Sequence, residues 1–328
     1  MKKENNGILY KIYHIATTYG PKGMILYMKN TLVFYWYLYV SKKLIYKKIH
    51  NYTMLLDPKD PGISKTLFLH GNREQQLKYI MEKETKKGDT IIDLGANIGY
   101  YVLLELSLIG NKGKIYALEP SSRNYSLLEK NIALNNAQYV VKTFKLAGGD
   151  CVKTEKFYLS EHSNLNTFIK DLYNSGEKSK GINENDYEMV DIVDMSTFIQ
   201  DKEHVNMIRM DIEGFEVEVL SGLRKAIEDG NFDGKIVFEC HFPKYDDVKH
   251  SMREQLKMLF NNGYYPKIMT SNNEKYSHFQ ERGYKPEVVI KTSIDMYQGV
   301  YYGVSNEDAE YFICDVGGVR DILLEKDS

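Results

Sequence analysis

The stretch Thr90-Ile91-Ile92-Asp93-Leu94-Gly95-Ala96-Asn97-Ile98-Gly99 leaves this chain few folds to choose from. An apolar run enters a glycine turn, and Lys114-Ile115-Tyr116-Ala117-Leu118-Glu119-Pro120 supplies a second run that ends on a carboxylate. Short apolar segments bounded by turn residues predict parallel strands covered on both faces. Gly95 and Gly99 allow the backbone to turn tightly and a ligand to lie against it. Glu119 arrives roughly 20 residues after the turn, the interval at which doubly wound folds place an acid for a ribose hydroxyl pair. The pattern predicts a nucleoside site.

The turn departs from the dinucleotide fingerprint. G-x-G-x-x-G lets a pyrophosphate lie on the helix N-terminus, whereas here the middle glycine is Asn97, in Asp93-x-Gly95-x-Asn97-x-Gly99. S-adenosylmethionine has no phosphate but carries an ammonium, a carboxylate and a sulfonium. Asp93 would suit its cationic methionine end, Asn97 its polar groups and Glu119 its ribose. A capped strand-turn-helix without a ligand is the bland alternative, and the joint presence of all three polar residues argues against it.

A length of 328 residues allows one enzyme-sized domain with additions. The net charge of -2 gives no global signal for nucleic acid. Cys151, Cys240 and Cys314 lack any C-x-x-C spacing, so neither a disulfide framework nor a zinc site is expected. No leader with a small-residue cleavage site is recognisable, and the expected setting is cytoplasmic, at most peripheral at a membrane surface. Charge is unevenly spread: residues 1–52 hold nine lysines against Glu4, a formal +8 against -10 elsewhere. The same arm contains Thr31-Leu32-Val33-Phe34-Tyr35-Trp36-Tyr37-Leu38-Tyr39-Val40, including the only tryptophan. A helical pair broken at Gly20-Pro21 is expected, packed on the catalytic part or a second subunit. A membrane-interface helix is the alternative, since the run is about half the ~20 residues that span a bilayer.

From residue 53 to 328 the pattern alternates between strand and helix. Strands are expected at about 90–94, 114–119, 140–146, 189–193, 206–212 and 235–241, with helices between them. An insertion or lid covers about 153–187, of which 162–187 reads as a loop. Segments 265–270 and 310–315 are expected to complete a sheet edge within about 264–328. Val205 through Gly214 is a strand ending in Asp211-Ile212-Glu213-Gly214, and Lys235 through His241 ends in Glu239-Cys240-His241. Alternation along strands predicts that Asp211 and Glu213 share a face, as do Glu239 and His241. Ligands of open α/β sheets sit beyond the carboxyl ends of the strands, where these four would point. Clustered acids raise a pKa and suit a general base acting on a hydroxyl. A divalent cation on the same groups is a minority reading, and no metal is expected. Structural roles compete: a helix cap for Asp211, a solvent-facing Glu213, an ion pair for Glu239, a hydrogen-bonded strand end for His241.

Over roughly Asp60 to Asn262 the sequence resembles the FkbM-like family of S-adenosylmethionine-dependent methyltransferases. The residues that carry the resemblance include Asp60-Pro61-Gly62 with Gly71-x-x-Glu74, Asp93 through Gly99, Glu119-Pro120 and Asn131 through Asn135. They continue through Leu146-Ala147-Gly148-Gly149-Asp150, Val193-Asp194, Asp211 through Gly214 and Phe238 through His241. Gly148-Gly149 departs from the usual single glycine. The resemblance implies a doubly wound, mostly parallel, seven-stranded methyltransferase sheet, bearing here an aromatic-rich helical arm. It also implies methyl transfer to a hydroxyl of a sugar, glycan or secondary metabolite. On this reading Glu74, Asp93, Gly95, Asn97, Gly99, Glu119 and Asp150 hold the cofactor. Asp211 or Glu213 orients or deprotonates the acceptor, with His241 as the alternative base and Glu239 beside it. Ser163, Asn164 and Asn166 fall in the expected loop and read better as solvated than as a lid. A nucleic-acid methyltransferase is disfavoured because no Pro-Pro turn occurs. A non-catalytic cofactor-binding or membrane-docking scaffold is the competing class.

Overall fold

The computed structural model describes residues 8–169, 182–292 and 296–327. The arm opens with α1 (Ile8–Trp36), broken at Gly20, whose φ of 66° and ψ of 179° interrupt the helix ahead of Pro21. After a π-helical turn, Tyr37–Ser41, β1 (Ile45–Ile49) and β2 (Tyr52–Leu56) pair as an antiparallel hairpin. Position 52, where the sequence pattern changes, thus lies within a hairpin.

The chain then continues through α2 (Ile63–His70), α3 (Gln75–Glu84), β3 (Thr90–Leu94), α4 (Tyr100–Ile109), β4 (Lys114–Leu118) and α5 (Ser122–Leu134). Next come β5 (Val141–Phe144), β6 (Ala147–Gly149), β7 (Lys153–Ser160), β8 (Ile182–Asp194), α6 (Met195–Gln200), β9 (Met207–Met210) and α7 (Glu216–Glu228). The last part holds β10 (Lys235–Glu239), α8 (Met252–Asn261), β11 (Tyr264–Ser271), α9 (His278–Glu281), β12 (Val288–Lys291), β13 (Tyr297–Tyr301), α10 (Asn306–Cys314) and β14 (Val319–Lys326).

The main sheet has nine strands in the order β12-β13-β11-β14-β10-β9-β3-β4-β5. The five from β10 to β5 are parallel, and the other four run antiparallel to their neighbours. The expected count of seven is therefore exceeded by the hairpin β12–β13 at one edge. The strand expected at 310–315 is helical instead. Ala309, Phe312 and Ile313 are buried at helical spacing, and the Ser305 hydroxyl caps the helix by accepting from Asp308 N. Its place in the sheet is taken by β14, whose Ile322, Leu323 and Leu324 are fully buried.

Successive residues of β3 face opposite cores. Ile91 packs with α4 and α5, and Ile92 with α7 and α8. Both faces of the strand are therefore dry, as its continuous apolar run requires. β6, β8 and β7 form a separate three-stranded sheet above the main one. The motif asparagines of α5 serve the hairpin. Asn131 and Asn135 accept from Leu55 N and Thr53 N at 2.6 and 3.1 Å and donate back to the carbonyls of the same two residues. These bonds satisfy backbone groups of β2 that no strand partner reaches. None of the described helices is long and apolar enough to cross a membrane. The direction of winding reverses between β3 and β9, since β4 and β5 extend one side and β10 the other. That is where an open α/β sheet forms its ligand crevice.

Candidate functional site

The glycine turn is built by close approach of two strand ends. Gly95 has φ 78°, and a Cβ there would overlap the Asp211 carbonyl, so only glycine fits. Gly95 N and Ala96 N donate to Leu118 O, each at 3.0 Å, and Asn97, at φ 50°, donates its N–H to Glu119 Oε2 at 2.8 Å. Glu119 Oε1 accepts from Ser121 N at 2.9 Å and from the Asn124 amide at 3.4 Å. Burial outweighs these bonds and pushes the Glu119 carboxyl up to about 7.

A cavity enclosing about 520 Å³ of space, part of it open to solvent, lies over this turn. Gly95, Asn97 and Glu119 line one side, Leu146 and Gly148 another, and Asp211 and Glu213 a third. No lysine or arginine among the described residues lines it. Ser163, Asn164, Asn166 and Phe168 cover it, so the segment expected to be solvated is a roof. Ser163 O accepts from the amides of Asn97 and Asn124 at 3.2 and 3.1 Å, and Ser163 N donates to Asp60 Oδ1 at 3.2 Å. Asp60 also caps Gly62 and Ser64, which ties the Asp60-Pro61-Gly62 motif to the roof. Phe168 packs in tilted contact on Phe157 and Phe215, at 4.6 and 4.5 Å between centroids. Residues 170–181 of the expected loop lie outside the described residues, and 182–187 belong to β8.

A second cavity of about 360 Å³ adjoins the first, sharing Gly95, Asn97, Asn164 and Asp211. Arg73, Glu74, Tyr101 and Arg209 line it as well. Glu74 has φ 45° and accepts from Tyr101 OH at 3.1 Å and from Arg73 Nε. Its place beside the cofactor turn agrees with the resemblance, although its partners are protein groups.

Three residues expected to hold the cofactor take other positions. Gly99, at φ 89°, lines neither cavity, and a Cβ there would press on Leu128 of α5. Asp93 is fully buried, outside both cavity linings, and paired with Arg209 Nη1 at 2.9 Å. It points beneath the turn because its register on β3 faces Arg209 on β9. Asp150 is exposed, pairs with Lys153 at 3.8 Å and lines neither cavity. The chain has already left the crevice at the end of β6. Glu239 is 4 % exposed and held by Arg320 at 2.7 Å, taking the ion-pair role. Burial works against its charge, but Arg320 and His241 hold its carboxyl down to about 2.

The four expected catalytic groups do converge, by a different backbone route. β9 ends at Met210, and Glu213 and Gly214 turn through φ 52° and 98°. Asp211 and Glu213 therefore do not alternate along a strand. Asp211 accepts from Arg209 Nη2 at 3.3 Å, and Glu213 takes Lys244 Nζ at 2.7 Å. His241 Nδ1 lies 3.1 Å from Glu216 Oε1, and its Nε2 lies 3.4 and 3.6 Å from Glu239 and Glu213. Burial opposes its charge, but Glu216 and Glu239 raise its pKa well above the ordinary value. Three carboxylates around the ring favour its charged form, which suits His241 poorly to the role of resting base. Asp211 is pushed up to about 7 by burial and by Glu239, with Arg209 opposing. It lines both cavities, and a carboxyl of that pKa can accept a proton near neutral pH.

Donor atoms of Asp211, Glu239 and His241 lie within 4.8 Å of one another, a spacing that could hold a cation. Arg320 on Glu239 and the charge on His241 already supply positive charge there, so the set does not favour a metal. Arg73, Arg209, Glu216, Lys244 and Arg320 were not anticipated as site residues. Arg209 alone left a signal, as a charge inside the apolar run Met207 to Met210.

The family model of the methyltransferase FkbM domain matches residues 93–266, which include both acid clusters. "Methyltransferase 1" of Beauveria bassiana (strain ARSEF 2860) is 27% identical over 144 residues, covering 40% of this chain and 57% of that protein. The methyltransferase FkbM structure from Methylobacillus flagellatus KT shares 12% identity at a TM-score of 0.37, over 73% of this chain and 52% of that one. A SAM-dependent O-methyltransferase from Thermotoga maritima shares 13% at 0.38, over 88% and 86%. These structural likenesses carry no weight for substrate or mechanism. The chain spans just over half the length of the Beauveria protein and of the Methylobacillus enzyme. A match over more than half its residues places the chain in the FkbM methyltransferase family.

Proposed function

We propose that the protein is an S-adenosylmethionine-dependent O-methyltransferase acting on a hydroxyl of a sugar, glycan or similarly polyhydroxylated metabolite. The observation that carries this reading is the charge of the larger cavity. It presents Glu119, Asp211 and Glu213 as acceptors, the last two backed by Arg209 and Lys244, and no lysine or arginine among the described residues lines it, so it suits a nucleoside with hydroxyls and a sulfonium better than one with a phosphate. S-adenosylmethionine is the cofactor: Glu119 is placed for the ribose hydroxyls, and Leu118, Leu146 and Phe157 offer an apolar slot for a base. When bound, it supplies a methyl carbon activated by a sulfonium, which passes to an acceptor oxygen as the carbon–sulfur bond breaks.

The chain's own residues do the rest. Asp211, in the wall common to both cavities, accepts the hydroxyl proton. His241, anchored by Glu216, holds Glu213 and Glu239 in place. The roof from Ser163 to Phe168 excludes water, and positioning in that dry space accounts for much of the expected rate. Arg73, Glu74 and Tyr101 offer the second cavity both donors and acceptors, which matches hydroxyls that need both. The test is turnover of S-adenosylmethionine by the purified protein against panels of glycans, free sugars and phenolic metabolites, read by mass spectrometry. Methylation of a sugar hydroxyl supports the reading. Methylation confined to nitrogen acceptors would overturn it.

A further inference from the structure

Among the described side chains of the N-terminal helix, one side packs on the catalytic domain. Phe34, 2 % exposed, packs on Phe68 at 5.6 Å, and Tyr27 lies 5.7 Å from His70. Both contacts fall on α2. Ile25, Met28, Leu32 and Trp36 recur three or four residues apart, so they share another face of the helix. That face is open: Ile25 is 65 % exposed, Met28 56 %, Leu32 72 % and Trp36 51 %. Leu26, Tyr35, Tyr39 and Val40 widen the patch. A contiguous apolar surface of this kind marks an interaction site.

Its charge selects the occupant. Lys22, Lys29, Lys42, Lys43 and Lys48 are exposed along and beside the patch, in an arm whose only acid is Glu4. A closed dimer formed through this face would bring the lysines of two copies together, with no acid of residues 20–43 to offset them. An anionic bilayer accepts both features at once, taking the apolar side chains at headgroup depth and the lysines at the lipid phosphates. Aromatic rings with polar tips, such as Trp36 and Tyr39, favour that boundary.

We propose that residues 20–43 dock the enzyme on an anionic lipid surface. The patch lies close to the chemistry. α2, on which α1 packs, begins at Ile63, and Ile63 lines the smaller cavity. A docked enzyme would hold that cavity near acceptors carried on the same membrane.

Trp36 is the only tryptophan, so its emission reports on this patch alone. The full chain is mixed with phosphatidylcholine vesicles, with or without phosphatidylglycerol, while emission and co-sedimentation are followed. A blue shift and sedimentation with the anionic vesicles only, both weakening as salt rises, are expected. Ile25→Glu with Leu32→Glu should lower partitioning about tenfold or more. The same double variant should keep the wild-type melting profile, which separates docking from folding. Absence of both shift and sedimentation with anionic vesicles overturns the proposal. So does a blue shift that grows with protein concentration, without lipid, alongside a doubled mass in ultracentrifugation, because the face then belongs to a second copy.

Discussion

Asp93 and Glu119 stand at or just past the ends of neighbouring parallel strands, both almost wholly buried, yet they do opposite work. Asp93 faces Arg209, and the buried pair braces the floor of the site. Burial still pushes its carboxyl up, with Arg209 opposing. Glu119 meets no cation among the described residues and is held by N–H groups of the turn and of the start of α5, facing the cavity. What separates the two acids is the direction they face and the partner they meet, not the burial. Asp93 keeps Oδ2 without a hydrogen-bond partner but lines neither cavity, whereas Glu119 lines the larger one.

The sharpest way to break the contrast is to remove the guanidinium. Arg209→Ala leaves Asp93 buried without its countercharge, and a loss of about 3–5 kcal/mol is expected in chemical denaturation. Next comes Asp211→Asn, expected to lower turnover about 10²–10⁴-fold while cofactor affinity measured by calorimetry stays close to wild type. A base whose pKa is near 7 is protonated and idle below that value. Wild-type kcat/KM should therefore rise as pH climbs through about 7, and the Asn variant should lose that limb. Glu119→Ala should weaken cofactor binding by about 1.5–3 kcal/mol, the worth of a charged hydrogen bond, with less effect on stability than Arg209→Ala. Asp150→Ala, at an exposed position outside both cavities, should change stability and affinity by no more than about 0.5 kcal/mol.

The contrast also marks where sequence reasoning stops. Thr90–Leu94, the glycine turn and Glu119 were legible because strand, turn and acid are neighbours in the chain, and local pattern encodes them. Asp93 was assigned to the cofactor because its partner is 116 residues away on β9, and no local pattern announces such a pairing. Ser163 and its neighbours read as a polar loop. Their burial comes from Asp60, Asn97 and Asn124, three separate segments meeting over the cavity. Residues 310–315 offered Tyr311, Phe312 and Ile313, equally at home in a strand or a helix, and the Ser305 cap with its helical register decided between them. The convergence of Asp211, Glu213, Glu239 and His241 was foreseen, but the left-handed turn at Glu213 that achieves it was not.

Calorimetric titration of the wild-type protein with S-adenosylmethionine, with NAD as the phosphate-bearing control, addresses the account most directly. One-to-one binding of S-adenosylmethionine, no binding of NAD, and a clear loss of affinity in Glu119→Ala are predicted. Binding of NAD in preference, or unchanged S-adenosylmethionine affinity in a folded Glu119→Ala protein, would contradict it.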